Sequence, residues 1–497
     1  MTNRPCILAI DQGTSSSRSL VFDRLGNILA SQQIDVATIR PQNSWAEQDP
    51  EELWDTTFQS AYKALQEAES QGSKVIAIGI ANQRETTLVW DRNTGKPVYN
   101  AILWHDRRTA DICDRLAADG WETIIQEKTG LVLDPYFSAT KLGWILDNVD
   151  GVRRGSEDGQ NLFGTVDSFL LWRLTGGASH STDTTNASRT SLFDIGRSNW
   201  DRQLLDIFRI PVPCLPTVFD SSHVFGQTDP ALFGRKIPIL GIIGDQQASA
   251  LGHGCVDPGS AKGTYGTGGF LMINNGIERL QSSNRLLATV AYRIGGKISY
   301  ATEGSIFVAG DAVKWLRDGL KIISTASEIQ QLAQLAKDDD GLFLVPAFNG
   351  LGAPHWDPDA QGILYGITGN TAGSQVARAA LDAVCYQTSD IIGAARKDGN
   401  QLDALRVDGG MATNDWFCQR LANILDLRVE RAKLTETTAW GAAFTAGLRT
   451  SLFSSLGQLK SISLTDATFI PSMKNQQRSE LLKGWANAVQ KALVRYP

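Results

Sequence analysis

The chain has 497 residues, of which 42% are hydrophobic and 20% charged, an ordinary globular composition that excludes a disordered or collagen-like chain. Its 53 acidic residues outnumber its 47 lysines and arginines, and the net charge of −6 argues against a nucleic-acid partner. No window approaches the ~18 apolar residues of a membrane span, and residues 1–10 lack the long apolar region and cleavage site of a signal peptide.

The first predicted elements form a turn-rich hairpin. Residues 6–10 (CILAI) predict a strand, residues 11–18 (DQGTSSSR) a turn, and residues 19–23 (SLVFD) a returning strand. Gly13 lets a ligand approach the backbone, while the hydroxyl groups and the final arginine of the turn suit phosphate oxygens. Asp11, at the end of the buried strand, is placed to hold a magnesium ion through its waters. A polar β-turn is the alternative, but eight consecutive residues of this kind favour a phosphate site.

A helix and a central strand follow. Asp49 as N-cap, Pro50 at the first helical position and a glutamate at the third predict a helix start. The predicted buried face of this helix consists of Leu53, Phe58, Ala61 and Leu65. Residues 75–81 (VIAIGIA) are apolar on both faces, as expected of a central strand that helices cover.

Charged and amide side chains follow two predicted strands at their carboxyl ends. Arg84 and Glu85 come after the strand just described, whereas Asp245 follows the apolar residues 237–243 (IPILGII) and precedes a helix predicted to begin near Gln247. Ligands of open α/β sheets bind beyond the carboxyl ends of strands, and a guanidinium beside a carboxylate suits the hydroxyl groups of a polyol. The alternatives are a surface ion pair for the first two residues and a helix N-cap for Asp245.

A second turn-rich hairpin is predicted at residues 259–273 (GSAKGTYGTGGFLMI), and it resembles the first. Its glycine spacing differs from a dinucleotide-binding fingerprint, and the chain has no Walker P-loop. A tight hairpin without a ligand is one interpretation, but the correspondence to the first hairpin favours a second phosphate-facing turn. The repetition of the hairpin about 250 residues along the chain predicts two similar halves with a boundary near residue 250.

The third motif is the stretch 405–414 (LRVDGGMATN). A short strand is predicted to end at Asp408, and Gly409 and Gly410 are predicted to open a helix. The apolar face of that helix consists of Phe417, Leu421 and Ile424. Two glycines at a strand-to-helix turn let a planar ligand or its ribose lie against the backbone, although a helix entry without a ligand is equally compatible with this motif.

The motifs described above, in this order along the chain, resemble those of the sugar-kinase family that is related to actin and the Hsp70 ATPase domain. Within that family, the resemblance is to the members that phosphorylate glycerol. The resemblance covers nearly the whole chain. Its most specific segments begin at residues 11, 82, 185, 244, 263 and 346 and read DQGTSSSR, NQRETTLVWDRNTGKPVYNAILWHDRRTADIC, TNASRTSLFDI, GDQQASALG, GTYGTGGF and PAFNGLGAPHWD. It implies an α/β fold of two actin-like (ribonuclease H-like) domains with a central cleft. Residues 1–250 would carry the polyol site and the first phosphate turn, and residues 251–497 the second phosphate turn and the adenosine site.

The resemblance also implies ATP and Mg²⁺ as cofactors and glycerol as the acceptor. The residues implied to face the phosphates are Thr14, Ser15, Ser16, Arg18 and Thr267. Those implied to bracket the adenosine are Gly310, Lys314, Gly410 and Asn414. Those implied to bind glycerol are Arg84, Glu85, Trp104, Tyr136, Asp245, Gln246 and Phe270. Asp245 would act as the general base for the attacking hydroxyl, and Asp11 would hold the metal.

The chain departs from the family pattern at two places. Family members usually have glutamine at the position of Lys314, where the apolar stem of a lysine can cover the base while its head reaches water. Residues 229–236 (DPALFGRK) lack the Gly-Gly-Thr-Arg loop with which some relatives bind a sugar bisphosphate inhibitor. They also lack the histidine that other relatives present for phosphorylation, so neither form of regulation is expected.

Two other functions remain open on the sequence. A pentose or hexose derivative could replace glycerol as the acceptor. An actin-like or Hsp70-like switch could instead use ATP turnover to drive a partner protein, but such a switch has no use for polyol-binding charges beside the γ-phosphate. The sugar-kinase interpretation is therefore favoured.

Six scattered cysteines without a CxxC pair predict free thiols in a reducing compartment, and hence a cytoplasmic location. We expect neither a nucleic-acid partner nor an integral membrane segment. Because relatives form dimers and tetramers, the resemblance implies a homodimer or a homotetramer.

Overall fold

The computed structural model describes residues 4–336, 341–450, 452–462 and 465–494, and its first half is built on a six-stranded sheet. The strands are β1 (Arg4–Gln12), β2 (Ser16–Phe22), β3 (Ile28–Asp35), β4 (Ser73–Asn82), β5 (Ser222–Gln227) and β6 (Pro238–Gly244), in the spatial order β5-β6-β4-β1-β2-β3. Strands β1 to β3 form an antiparallel meander, whereas β1, β4 and β6 run parallel. Most side chains of β4 and β6 are buried, as their apolar runs predict.

A seven-stranded sheet forms the second half. Its strands are β7 (Ala261–Tyr265), β8 (Gly269–Gly276), β9 (Leu287–Ile294), β10 (Lys297–Ile306), β11 (Ala404–Asp408), β12 (Arg428–Ala432) and β13 (Thr465–Phe469), in the spatial order β9-β10-β8-β7-β11-β12-β13. Strand β7 lies between antiparallel β8 and parallel β11, just as β1 lies between antiparallel β2 and parallel β4. The α/β fold with two similar sheet-containing halves is therefore confirmed.

Helices surround both sheets. The α-helices of the described residues are α1 (Pro50–Ser70), α2 (Ala110–Ala118), α3 (Glu122–Thr129), α4 (Ser138–Asn148), α5 (Val152–Glu157), α6 (Val166–Leu174), α7 (Thr184–Ala187), α8 (Arg202–Phe208), α9 (Pro230–Phe233), α10 (Asp245–Gly252), α11 (Gly310–Lys314), α12 (Glu328–Gln334), α13 (Gly373–Lys397), α14 (Asp415–Leu425), α15 (Thr437–Gly447), α16 (Gln458–Ser461) and α17 (Asn475–Ala492). A π-helical turn follows α11 at Trp315–Gly319, and 3-10 turns lie at Val212–Cys214 and Gly410–Thr413. Within the described ranges, no helix is both long and apolar enough to cross a membrane.

Short strand pairs complete the fold outside the two main sheets. These strands are Glu47–Gln48, Leu88–Asp91, Ala101–Ile102, Asn161–Gly164, Ser181–Asp183, Phe193–Asp194, Asn199–Trp200, Thr217–Phe219, Phe343–Val345 and Ile363–Tyr365. Most of them belong to the first half, where Glu47–Gln48 pairs with Ala101–Ile102 and Leu88–Asp91 pairs with Asn161–Gly164.

Helix α1 begins as its sequence predicts. Pro50 is its first residue, and the carboxylate of Asp49 accepts a hydrogen bond of 2.9 Å from the N–H of Glu51. Of the four residues predicted to form its buried face, three are buried, and Phe58 is half-buried and stacks on Trp54 with ring centroids 5.7 Å apart. The cap and the apolar spacing together fix both the start and the packed face of this helix.

The two halves share a hydrophobic core through helices α10 and α15. A methyl group at Gly441 of α15 would lie only 1.9 Å from the carbonyl oxygen of Ala248 in α10, so glycine permits the backbones to touch. Trp440 and Phe444 of α15 belong to the same buried cluster as Ile7 of β1. A helix from the second half therefore packs directly on the first sheet.

Three predicted boundaries were wrong. The first turn covers only residues 13–15, because Asp11 pairs with Arg18 in the β1–β2 ladder. Helix α10 begins at Asp245 itself with Gly244 as its N-cap, so Asp245 is not the cap. The two glycines after Asp408 lead into the 3-10 turn, and Asn414 then caps α14.

Candidate active site

The first turn presents hydroxyl groups beyond the carboxyl end of β1. The N–H of Gly13 donates to the carbonyl of Ser16 over 2.9 Å and closes the turn. Ser15 is exposed, and Thr14 is half-buried, with its Oγ1 accepting a hydrogen bond of 2.9 Å from the indole N–H of Trp104. Of the predicted phosphate-facing residues, Thr14 and Ser15 thus lie in one accessible turn, and Ser16 follows as the first residue of β2.

Arg18 lies on β2 and is not part of that turn. Its Nη1 donates to a carboxylate oxygen of Glu436, the residue that precedes α15, and its Nε donates to Gln33 over 3.0 Å. Glu436 belongs to the second half of the chain, 418 positions away in sequence. A phosphate bound at the turn would compete with Glu436 for this guanidinium.

Asp11 is the second-to-last residue of β1. Burial, together with the nearby carboxylates of Asp245 and Glu436, raises the pKa of Asp11 to about 7, while Arg18 acts in the opposite direction. Asp11 and Asp245 are therefore close enough to repel each other. This pair of carboxylates connects the predicted phosphate turn with the predicted acceptor site.

Arg84 and Glu85 are 3% and 2% exposed, which excludes the surface ion pair that their sequence left open. Their closest approach to each other is 4.0 Å, from Nε to Oε1. Glu85 adopts a left-handed backbone conformation with φ of 60°, which is uncommon for a residue with a Cβ. The hydroxyl of Ser138 donates to its carbonyl oxygen over 2.9 Å and helps to hold this conformation.

Two further charged residues complete a buried network that the sequence did not predict. Glu303 of β10 accepts hydrogen bonds of 2.7 and 2.8 Å from the two terminal nitrogens of Arg84. Arg189 donates to Glu85 over 2.6 Å and to Glu303 over 3.3 Å. Burial alone would raise the pKa of Glu303, but Arg189 and Arg84 lower it to about 2. Positive and negative charges therefore alternate through the network, and each is held by at least one opposite charge.

Asp245 is the first residue of α10 and lies beside Arg84. Its Oδ1 accepts a hydrogen bond of 2.6 Å from the N–H of Gln246 and lies 3.1 Å from Nε of Arg84. Its side chain is 28% exposed, whereas that of Arg84 is almost completely buried. The N–H of Gln246 and the guanidinium of Arg84 together fix the orientation of this accessible carboxylate.

Gln246 is held by a second charge that the sequence did not predict. Its Nε2 donates to Oδ2 of Asp245 over 3.3 Å, and its Oε1 accepts from Nζ of Lys262. Lys262 lies on β7, is fully buried, and also donates to Oγ1 of Thr264 over 3.1 Å. In the sequence, Lys262 and Glu303 stand out only as charges within strand segments, AKGTY and KISYATEGSI, and nothing there identifies their partners.

Three aromatic rings meet next to these charges. The ring centroid of Trp104 lies 5.4 Å from that of Tyr136 and 6.1 Å from that of Phe270. Nζ of the buried Lys141 donates to the carbonyls of residues 135–137 over 2.7–2.9 Å and so fixes the loop that carries Tyr136. Phe270 comes from β8, so the rings join the two halves of the chain.

The second turn lies between β7 and β8 and contacts α11. The carbonyl oxygen of the exposed Thr267 accepts hydrogen bonds from the N–H groups of Ala309 and Asp311 over 2.9 and 3.2 Å. The N–H of Gly310 donates to Gly266 over 2.9 Å, which places Gly310 beside this turn. Lys314, at the end of α11, is exposed and pairs with Asp311 over 2.9 Å.

The remaining predicted adenosine residues lie after β11. Gly410 is exposed, and a methyl group added to it would have no neighbouring atom within 4 Å. Gly409 has φ of 89°, and a methyl group there would lie 2.5 Å from the carbonyl oxygen of Tyr265, so this turn packs tightly against β7. Oδ1 of Asn414 accepts a hydrogen bond of 3.0 Å from the N–H of Phe417, which shows a capping role for this side chain.

The known proteins to which this chain is similar are carbohydrate kinases. The family model for the N-terminal domain of the FGGY family of carbohydrate kinases matches residues 6–252, and the model for the C-terminal domain matches residues 261–449. A glycerol kinase of Rhodospirillum centenum is 54% identical and the alignment covers 99% of both chains. One from Alteromonas mediterranea is 52% identical over 97% of this chain and 98% of the relative.

Solved structures share the fold over the full length. The glycerol kinase of Plasmodium falciparum with ADP matches with a TM-score of 0.93 at 36% identity and covers all of both chains. A ligand-bound xylulose kinase from Lactobacillus acidophilus has the same fold, with a TM-score of 0.89 at 22% identity over 98% of each chain. The family predicted from the sequence is confirmed, and the chain belongs to the FGGY family of carbohydrate kinases.

Proposed function

We propose that this kinase transfers the γ-phosphoryl group of ATP to glycerol and forms sn-glycerol 3-phosphate. The observation that carries the proposal is the position of Asp245, an accessible carboxylate that contacts Arg84 and lies within electrostatic reach of Asp11 at the first turn. Trp104 connects the first turn with the proposed acceptor site, because its indole N–H donates to Thr14 and its ring packs against that of Phe270. The names of the similar proteins, glycerol kinases at 50–54% identity over nearly the full length, support glycerol as the acceptor.

The acceptor would be bound by charges on one side and rings on the other. Arg84 and Asp245 offer a donor and an acceptor for adjacent hydroxyl groups, and Glu85 and Gln246 extend this set. Trp104 and Phe270, with centroids 6.1 Å apart, would cover the carbon chain. The two rings pack edge to face, and as one wall of the pocket they would favour a short polyol over a longer one.

Asp245 would serve as the general base. As a glycerol hydroxyl attacks the γ-phosphorus, its proton would pass to the carboxylate of Asp245. Arg84 and the N-terminus of α10 hold this carboxylate in place, and Glu303 holds Arg84 in turn. The base is thus fixed by a chain of contacts whose members are buried, which suits a reaction that depends on in-line positioning.

ATP would lie between the two proposed domains, residues 1–250 and 251–497. Its phosphates would contact Thr14, Ser15, Ser16 and Arg18 from the first domain and Thr267 from the second. Its adenosine would lie along Gly310, Lys314, Gly410 and Asn414. The accessible hydroxyls of the first turn and the open space at Gly410 support this placement. All six cysteines are free, which supports a cytoplasmic location.

Mg²⁺ would be held by Asp11. The donor chemistry fits, because a carboxylate is a preferred magnesium ligand. The electrostatics fit as well, since burial and two neighbouring carboxylates raise the pKa of Asp11 to about 7, and a divalent cation would offset these effects. When bound, the ion supplies neutralisation of charge on the phosphates.

Replacement of the base tests the proposal. Asp245→Asn should lower kcat by roughly 10² to 10⁴ with little change in ATP affinity, since the residue faces the acceptor. Asp229→Asn is the matched control, because Asp229 also lies at a helix N-terminus, where it accepts from the N–H of Ala231 over 2.9 Å, but it is not among the residues proposed to bind acceptor, ATP or metal. Wild-type turnover in Asp245→Asn would reduce Asp245 to a structural residue.

A further inference from the structure

The proposed polyol-binding side chains come almost entirely from the first half of the chain, but the charges that hold two of them come from the second half. Glu303 lies on β10 and Lys262 on β7, both in the seven-stranded sheet. Both residues have 0% exposure. Neither touches the first turn, and neither belongs to the set predicted from the sequence.

Glu303 fixes the plane of the Arg84 guanidinium. Its two carboxylate oxygens each accept from a different terminal nitrogen of Arg84, over 2.7 and 2.8 Å. Such a bidentate pair allows one orientation of the planar group. In that orientation Nε lies 3.1 Å from Asp245, so the carboxylate on the second sheet determines which edge of Arg84 faces the acceptor.

Lys262 fixes the amide of Gln246. An ammonium group can only donate hydrogen bonds, so the atom of Gln246 that contacts Nζ must be the carbonyl oxygen Oε1. The amide nitrogen is then directed away from Lys262 and toward Asp245, to which it donates over 3.3 Å. Without the lysine, only the 3.3 Å hydrogen bond to Asp245 would hold the amide in this orientation.

We infer that Glu303 and Lys262 are positioning residues through which the second half of the chain orients the acceptor site on the first half. This inference rests on the proposed function, because it assumes that Arg84 and Gln246 contact the acceptor. Its consequence is that acceptor affinity depends on how the two halves are arranged. By linkage, acceptor binding must then favour the same arrangement of the halves to the same degree.

A separate ion pair in the second half of the chain provides a matched control for a purely structural role. Asp382 of α13 accepts from Arg420 of α14 with both oxygens over 2.8 Å, and both residues are buried within the second half. Asp382→Asn and Glu303→Gln therefore make the same chemical change at the same kind of bidentate pair. The two sites differ in that Glu303 alone contacts the proposed acceptor site.

The test compares steady-state kinetics of Glu303→Gln, Lys262→Met and Asp382→Asn with the wild type, varying glycerol and ATP separately. We expect the KM for glycerol to rise roughly tenfold or more in the first two variants, as the loss of a charged hydrogen bond implies, while the KM for ATP stays within about twofold. Asp382→Asn should leave both KM values unchanged, even where it lowers the melting temperature.

Several outcomes would overturn the inference. An unchanged glycerol KM in both Glu303→Gln and Lys262→Met would do so, as would equal increases for glycerol and ATP. If neither of these variants folds while Asp382→Asn does, the two charges are structural and the inference is wrong. If the wild type does not phosphorylate glycerol at all, the proposed function fails instead, and the same comparison is then made with the acceptor that it does use.

Discussion

The ionisation of Glu303 should make a measurable part of the stability of this kinase depend on pH. Arg189 and Arg84 overcome the effect of burial and lower the pKa of Glu303 from its ordinary value of 4.5 to about 2. At about 1.4 kcal/mol per pKa unit, this difference stabilises the folded state by on the order of 3 kcal/mol. Because the folded-state pKa is the lower one, the stabilisation is fully present above pH 4.5 and is lost as the pH falls through about 2.

Glu303→Gln removes this ionisation, so the free energy of unfolding of the wild type should exceed that of the variant by roughly 3 kcal/mol at pH 6. At pH 3.5 the excess should be smaller by on the order of 1 kcal/mol, since the pH then lies one unit below the ordinary pKa. Urea unfolding followed by tryptophan fluorescence at several pH values measures both differences. Glu127→Gln, at an exposed position, is the control and should show no pH-dependent difference. A difference for Glu303→Gln that stays constant from pH 6 to 3.5 would refute the reasoning.

Three more results are expected. Phe270→Ala should weaken glycerol use and admit four- or five-carbon polyols, because it opens one wall of the ring cluster; an unchanged ratio of kcat/KM values between acceptors would contradict this role. Lys141→Met should raise the KM for glycerol more than that for ATP, since Nζ holds the loop that carries Tyr136, and steady-state kinetics would show an equal effect on both if the loop is merely structural. A non-hydrolysable ATP analogue with glycerol should reduce the radius of gyration in small-angle scattering, because phosphate contacts from both halves imply closure; an unchanged radius would indicate a cleft that is already closed.

Local sequence patterns predicted the elements that local chemistry determines. Asp49 and Pro50 mark the start of α1 because capping depends on residues within one turn of the helix. The apolar run at residues 75–81 predicts β4 because burial on both faces requires it. By contrast, the first turn was predicted too long. Its polar residues suggested a loop, but the pairing of Asp11 with Arg18 extends the strand ladder into it.

The contacts that organise the candidate site could not be predicted, because they join residues that are far apart in sequence. Arg84 and Glu303 are separated by 219 positions, and Arg18 and Glu436 by 418. A single charge in a buried strand, such as Lys262, indicates that a partner exists but does not identify it. The partners of these charged residues are identified only by the structure, in which α10 and α15 bring the two sheets together.

The central claim, that glycerol is the acceptor, is tested most directly by ADP release with a coupled assay across glycerol, dihydroxyacetone, xylulose, ribulose and gluconate. The ring cluster of Trp104, Tyr136 and Phe270 predicts that kcat/KM is highest for glycerol and that the five- and six-carbon acceptors are used poorly. ADP release that does not depend on any acceptor, or equal kcat/KM values for glycerol and xylulose, would contradict the claim.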